Sequence, residues 1–305
     1  MELAPGKVGS AAIALVETPG KTWRGAIGKA GDGRPAEPTA RFGIASTTKT
    51  FTATVVLQLV GEGKLTLDDT VDRRLPGQVR DGGRITIRQL LNHTSGIPQG
   101  MSGVLSAPDR QPALVSEPGT THSYSNTNYL ILGLVAEELT GESLDRLVLD
   151  RIFRPLRLED SSFGSASLGV PGTNPPQWLG SSIESHSYWG AGGIVSTADD
   201  LATFYRALLG GELLAKVQLD EMLRTVDTGT DSLARLGSGH AWAGLGIFEI
   251  ELDCGPAWGH GGDMALPSYS NQVLVSRDGS KVVIVAQNVM GWPGANATAA
   301  EMYCL

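Results

Sequence analysis

Strand-forming sequence at both ends of the chain encloses a long helical middle, and this order constrains the fold more than any other feature. Near the C-terminus, NQVLVS and KVVIVAQN flank Arg277-Asp278-Gly279-Ser280. Both apolar runs are strand-length, and the Asp-Gly pair supplies the positive-φ residues that a tight hairpin needs. Near the N-terminus, AAIALVE and TWRGAIG flank Pro19-Gly20 and read as a second hairpin. Residues 255–262 lead into the C-terminal hairpin and read as a further strand. Residues 64–185 read instead as short helices and loops. The pattern predicts an α/β (α+β) chain whose sheet is built from both ends, with a mostly helical region inserted. The expected division is 1–60 with 190–305 for the sheet unit and 61–189 for the helical subdomain.

Three helices stand out. The first opens at Ser46, runs through TTKTFTATVVLQLV and stops at Gly61-Glu62-Gly63. Phe51, Val55, Val56, Leu59 and Val60 occupy more than one of its faces, which predicts a buried helix. The second covers 130–139 and is closed by Gly141. The third covers 199–209. No internal repeat or low-complexity segment interrupts this order.

Composition excludes several classes of function. The net charge of −8 comes without a block of like charge, so neither nucleic acid nor an anionic membrane is an expected partner. The longest apolar runs, such as 282–286, fall far below the roughly 20 residues that span a bilayer. MELAPGKVGS holds no signal-type apolar region, which leaves a cytoplasmic protein or one whose leader has been removed. Cys254 and Cys304 are too few to define a compartment. No Cys/His cluster has zinc spacing and HExxH is absent, so no metal or cofactor is expected.

Three short motifs can carry chemistry. In Ser46-Thr47-Thr48-Lys49, a lysine three residues after a serine lies on the same helical face, within reach of its hydroxyl. Burial disfavours the ammonium and makes a neutral amine available as a base. The helix N-terminus also favours developing negative charge. The bland alternative is a capping serine with a snorkelling lysine. In Tyr124-Ser125-Asn126, a tyrosine near a lysine can act as a general base, and the asparagine can hold an amide through both donor and acceptor. The alternative is an ordinary turn. In His260-Gly261-Gly262, the glycines admit close approach of a substrate backbone, and the next N–H can complete an oxyanion hole. The alternative is a tight strand entry with a structural histidine. No G-x-S-x-G elbow is present. His93, His122, His186 and His240 show no partner pattern and read as structural or exposed.

S-x-x-K, Y-x-N and H-x-G in this order resemble the serine penicillin-recognising superfamily of class C β-lactamases, DD-peptidases, D-aminopeptidases and related esterases. RFGIASTTKTFTA, LLNHTSGIP, YSNTNYLILG, AGGIVSTADDLATF and WGHGG extend the resemblance over nearly the whole chain. It implies an antiparallel sheet flanked by helices, with the site in the cleft beside a helical subdomain. It implies Ser46 as nucleophile, Lys49 and Tyr124 sharing proton transfer, and His260 standing where β-lactamases carry the lysine of K-T-G. Asn126 would orient the acyl group, Gly261 and Gly262 would line the substrate, and the N–H groups of Ser46 and Asp263 would form the oxyanion hole. The cysteines stand where soluble secreted DD-carboxypeptidases carry a pair, which implies a Cys254–Cys304 bridge.

The chain departs from that pattern where a substrate carboxylate would bind. Gly261 replaces a hydroxyl residue, Asp263 adds an acid, and GLGIFEIELD carries Phe248 and Glu249 where those peptidases carry arginines. An acid beside an incoming carboxylate is repulsive. The expected function is therefore a serine acyl-enzyme hydrolase or transacylase acting on an ester or amide. Its partners would be a small or peptide-like acyl donor and, for transfer, an amine acceptor, with a role in natural-product biosynthesis. The competing readings are a DD-carboxypeptidase or class C-like β-lactamase, and a non-catalytic binding module. The stretch 98–118 and the N-terminus look short beside relatives, which means either an open cleft or a sequence that lacks residues there.

Overall fold

The computed structural model describes residues 11–30, 33–100, 108–163, 189–229, 240–264, 269–288 and 294–305. The expectations for residues 1–10 and His186, and for 101–107 within the short loop, lie outside them.

Its strands are β1 (Ala11–Thr18), β2 (Lys21–Gly28), β3 (Phe42–Gly43), β4 (Ser162–Phe163), β5 (Ile194–Ser196), β6 (Val226–Asp227), β7 (Ala241–Ala243), β8 (Phe248–Leu252), β9 (Gly255–Met264), β10 (Tyr269–Val275) and β11 (Val282–Gln287). The helices are α1 (Thr48–Gly61), α2 (Ile87–Leu91), α3 (Asn126–Thr140), α4 (Leu144–Val148), α5 (Arg154–Leu156), α6 (Trp189–Gly192), α7 (Ala198–Leu209), α8 (Lys216–Met222) and α9 (Gly294–Cys304). The main sheet is antiparallel, in the order β2-β1-β11-β10-β9-β8-β7-β6, so the N-terminal hairpin closes onto the C-terminal strands. A small sheet, β3-β5-β4, lies just before α1.

Both predicted hairpins form. Thr18 pairs with Lys21 across Pro19-Gly20, and Gly20 takes a φ of 78°. In the β10–β11 turn only Gly279 takes positive φ, at 72°. Asp278 contributes through its carboxylate instead, which accepts from the Ser276 hydroxyl and from the Ser280 N–H and hydroxyl. These donors pull its pKa down to about 2.

The unbroken apolar run of β11 is explained by burial of both its faces. Val282, Ile284 and Ala286 join the larger core with Phe51, Phe204 and Leu208. Val283 and Val285 join a second core with Ala295, Ala299 and Met302 of α9. The Cys254–Cys304 disulfide ties the end of α9 to the β8–β9 turn.

Helix α1 is buried around almost its whole girth, as its apolar pattern predicts. Phe51 stacks on Phe204 of α7 at 3.6 Å between centroids. Its threonines are buried too, and each hydroxyl has a partner. Thr50 donates to the Gly246 carbonyl and Thr52 to the Gly190 carbonyl, both at 2.7 Å. Thr54 donates to its own helix at Thr50, and Thr48 accepts from the Ile194 N–H at 3.1 Å. These bonds fix α1 against the segments on either side of the site. Among the described residues, no helix is long and apolar enough to cross a membrane, and no cluster of His, Cys, Asp or Glu is placed to hold a metal ion.

Candidate active site

Ser46 lies in a single 3-10 turn, Ala45–Thr47, and α1 begins only at Thr48. Neither helical start has a side-chain cap, so Ser46 does not serve as one. Its neighbours are buried while Ser46 itself stays partly accessible. Ala45, just before it, holds a φ of 44°. A side chain in the left-handed region costs about 1–3 kcal/mol and persists only where the surroundings enforce it. Here the methyl group packs with Met264 and Tyr269, beside the strands of the main sheet.

Lys49 is fully buried and does not snorkel. Its Nζ donates to Ser46 Oγ at 2.9 Å and to the Ala191 carbonyl at 2.7 Å. It also lies 5.0 Å from the ring centroid of Tyr124 and 5.7 Å from that of Tyr129. Among the described residues no carboxylate pairs with it. Desolvation therefore holds its pKa well below the ordinary lysine value, and the neutral amine can take a proton from Ser46.

Tyr124 is buried two residues before α3 and stacks on His93, with centroids 4.3 Å apart. It lies 6.4 Å from the ring of His260, measured in the same way. Asn126 opens α3. Its N–H donates to Gln99 Oε1 at 2.7 Å, while its buried Oδ1 has no hydrogen-bond partner among the described residues.

His260 sits on β9, buried against Phe248. Its Nδ1 lies 2.6 Å from the Gly261 carbonyl, which assigns the ring proton to Nδ1 and leaves Nε2 as an acceptor without a partner among the described residues. Burial, reinforced by Lys49, lowers its pKa to about 3, so the ring is neutral at physiological pH. Gly262 has a steric reason to be glycine: a Cβ there would meet the Ile44 carbonyl at 2.2 Å. Asp263 pairs with Ser270 across β9–β10, on the pleat opposite His260 and Gly262. Burial of its carboxyl raises its pKa, and a hydrogen bond from Ser270 opposes that rise. The structure thus brings Ser46, Lys49, Tyr124 and His260 into one cluster, with Asn126 at the start of α3 beside it and Gly261, Gly262 and Asp263 along β9.

Sequence reasoning missed the residues that hold the cluster in place. Asn271 on β10 donates to the Ile44 carbonyl at 3.0 Å and to the Gly262 carbonyl at 3.2 Å. Its Oδ1 accepts from the Thr47 hydroxyl at 2.8 Å. One amide thus pins the nucleophile turn to the glycine strand. The available signal was an asparagine inside a strand whose residues are all buried. His93 was read as structural or exposed; it is buried directly against Tyr124. His240, by contrast, is only half-buried and pairs with Asp227 at 2.8 Å.

Comparison with known proteins gives the chain a family and a set of relatives. A family model described as Beta-lactamase matches residues 3–302. A D-stereospecific amidohydrolase from Streptomyces sp. is 33% identical, with a TM-score of 0.77 over 92% of this chain and 89% of that one. The D-amino acid amidase from Ochrobactrum anthropi SV3, in its L-phenylalanine amide complex, shares the fold with a TM-score of 0.77 over 96% of this chain and 90% of that one, at 23% identity. Penicillin-binding protein 4 of Amycolatopsis lactamdurans is 33% identical over 72% of this chain and 65% of its own length. Protein flp of Staphylococcus aureus strain MW2 is 33% identical over 42% of this chain, a match spanning 29% of that longer protein.

Proposed function

The chain belongs to the beta-lactamase family, and from that premise we propose that it is a serine hydrolase whose Ser46 is acylated by an amide or ester of a D-configured amino acid. The observation that carries this reading is the uncompensated burial of Lys49 within 2.9 Å of the Ser46 hydroxyl. A binding module would have no use for that costly arrangement.

In the proposed reaction the Ser46 oxygen attacks the substrate carbonyl carbon and its proton passes to Lys49 Nζ. The N–H groups of Ser46 and Asp263 receive the developing oxyanion. Tyr124 gives its proton to the departing amine or alkoxide as the carbonyl–heteroatom bond breaks, and takes one back from Lys49, which returns to the neutral amine. Water, or an amine in transfer chemistry, then attacks the acyl carbon and loses a proton to this Lys49–Tyr124 pair, which returns it to Ser46 Oγ as the acyl–oxygen bond breaks. Asn126 accepts an N–H of the acyl group through Oδ1, and Nε2 of neutral His260 accepts a donor from the substrate. We take 1–60 with 190–305 as one unit of the cleft and 61–189 as the other.

We assign the acyl donor to amides and esters without a free α-carboxylate. β8 carries Phe248 and Glu249 and no arginine, and Asp263 follows the glycines of β9. The D-configuration is suggested by the Streptomyces amidohydrolase, 33% identical over 92% of this chain. Acyl transfer to an amine in natural-product biosynthesis is the same chemistry with a different acceptor.

The test is intact mass spectrometry of wild type and Ser46→Ala after exposure to a fluorophosphonate, D- and L-phenylalanine p-nitrophenyl esters, and penicillin. A Ser46-dependent fluorophosphonate adduct and faster D-ester turnover are expected. Absence of any Ser46-dependent adduct refutes the nucleophile, and a long-lived penicillin adduct favours the DD-peptidase alternative. Ester turnover accelerated by added amine identifies transfer.

A further inference from the structure

His93 holds Tyr124 at three points. Its carbonyl accepts from the Ser123 N–H at 2.8 Å, on one side of the tyrosine. Its Nδ1 takes the Ser125 N–H at 3.2 Å, on the other side. Its ring stacks on the Tyr124 ring itself, 30° from parallel. The same Nδ1 lies 3.1 Å from Asn128 Nδ2, whose Oδ1 in turn accepts from Ser95. Two N–H donors converging on Nδ1 require it to carry no proton. The backbone of His93 adopts a φ of 59°, an uncommon conformation for a histidine, which sets the ring under Tyr124.

We propose that His93 is a positioning residue for the reaction, holding the Tyr124 ring in register with Lys49 and Ser46. It rests on the reading of Tyr124 as the proton-transfer group. The imidazole is suited to this task because it stays neutral. Burial holds its pKa well below the usual histidine value. An aliphatic side chain would offer neither the flat face nor the acceptor.

The test is a double-mutant cycle with D-phenylalanine p-nitroanilide as the probe, whose aniline leaving group must gain a proton as it departs. His93→Asn suits the backbone, since asparagine tolerates positive φ, and its Oδ1 can replace the Nδ1 acceptor while the ring is lost. In the wild-type background we expect kcat to fall about tenfold or more, within the range removed with an acid–base group, and KM to change less than about twofold. In a Tyr124→Phe background the same substitution should change kcat less than about twofold, because the group it positions is already gone. An undiminished kcat in His93→Asn, or an equal loss in both backgrounds, overturns the inference. Should His93→Asn fail to fold, His93→Phe, which keeps the ring face and drops the acceptor, enters the same cycle under the same criterion. Wild-type kcat in Tyr124→Phe alone defeats the role assigned to Tyr124, a separate result from failure of His93.

Discussion

Lys49 Nζ lies 2.9 Å from Ser46 Oγ, and its other hydrogen bond goes to a backbone carbonyl, that of Ala191, rather than to a carboxylate. The lysine is held where its charge is least welcome, which keeps it a base.

Lys49→Met should abolish ester turnover and raise stability at pH 7 by about 1 kcal/mol or more, since a buried ionisable group is replaced by an apolar one. The folded pKa is depressed, so below the unfolded lysine pKa of about 10.4 the unfolded chain binds the extra proton. The stability gap between variant and wild type should narrow as pH rises toward that value. Urea unfolding from pH 7 to 10 measures it; a gap that widens with pH contradicts a depressed lysine.

Gly262→Ala would drive a methyl group into the Ile44 carbonyl, two residues from the nucleophile. A backbone atom cannot move aside as a flexible side chain can. We expect a loss of about 1–3 kcal/mol in stability and slower fluorophosphonate labelling of Ser46. Labelling at the wild-type rate would show that the glycine is not needed there.

Asn271→Ala removes the donors to Ile44 and Gly262 and the acceptor for Thr47. Leaving buried partners unsatisfied costs about 1–3 kcal/mol. The acylation rate should fall at least tenfold, because the nucleophile turn loses its tie to β9. Stopped-flow acylation with a p-nitrophenyl ester, compared with the melting temperature, separates the two effects.

Asp200 accepts from the Ser161 hydroxyl and the Asp160 N–H, close to the small sheet that leads into Ser46. Burial raises its pKa to about 6. The folded chain therefore keeps a proton that the unfolded chain, near 3.9, has released. This stabilisation is complete below about pH 4 and is lost as pH rises through about 6, on the order of 3 kcal/mol in all. Asp200→Asn should remove that slope from urea unfolding measured between pH 4 and 7.

The Cys254–Cys304 bridge closes a loop with a sequence separation of 50. Cys304→Ser should cost about 2–4 kcal/mol, chiefly through a less constrained unfolded state. The loss should fall on stability more than on kcat, because α9 shares the second core with Tyr124 but carries none of the cluster residues itself.

Much was legible in local sequence. Strand-length apolar runs and turn chemistry located both hairpins, and apolar density located α1, because these signals depend on neighbours along the chain. Ser46, Lys49, Tyr124 and His260 were legible as motifs because their chemistry needs fixed residue types at fixed spacing. Only the tertiary structure decided that Lys49 is buried without a counter-ion and that Gly262 abuts Ile44. Only the tertiary structure paired Asn271 with Thr47, and His93 with Tyr124. Those relationships join residues 31 to 224 positions apart, and no local pattern encodes them. They arise when α1, the start of α3 and strands β9 and β10 close on one another, because each buried polar group must then find its partner across the chain.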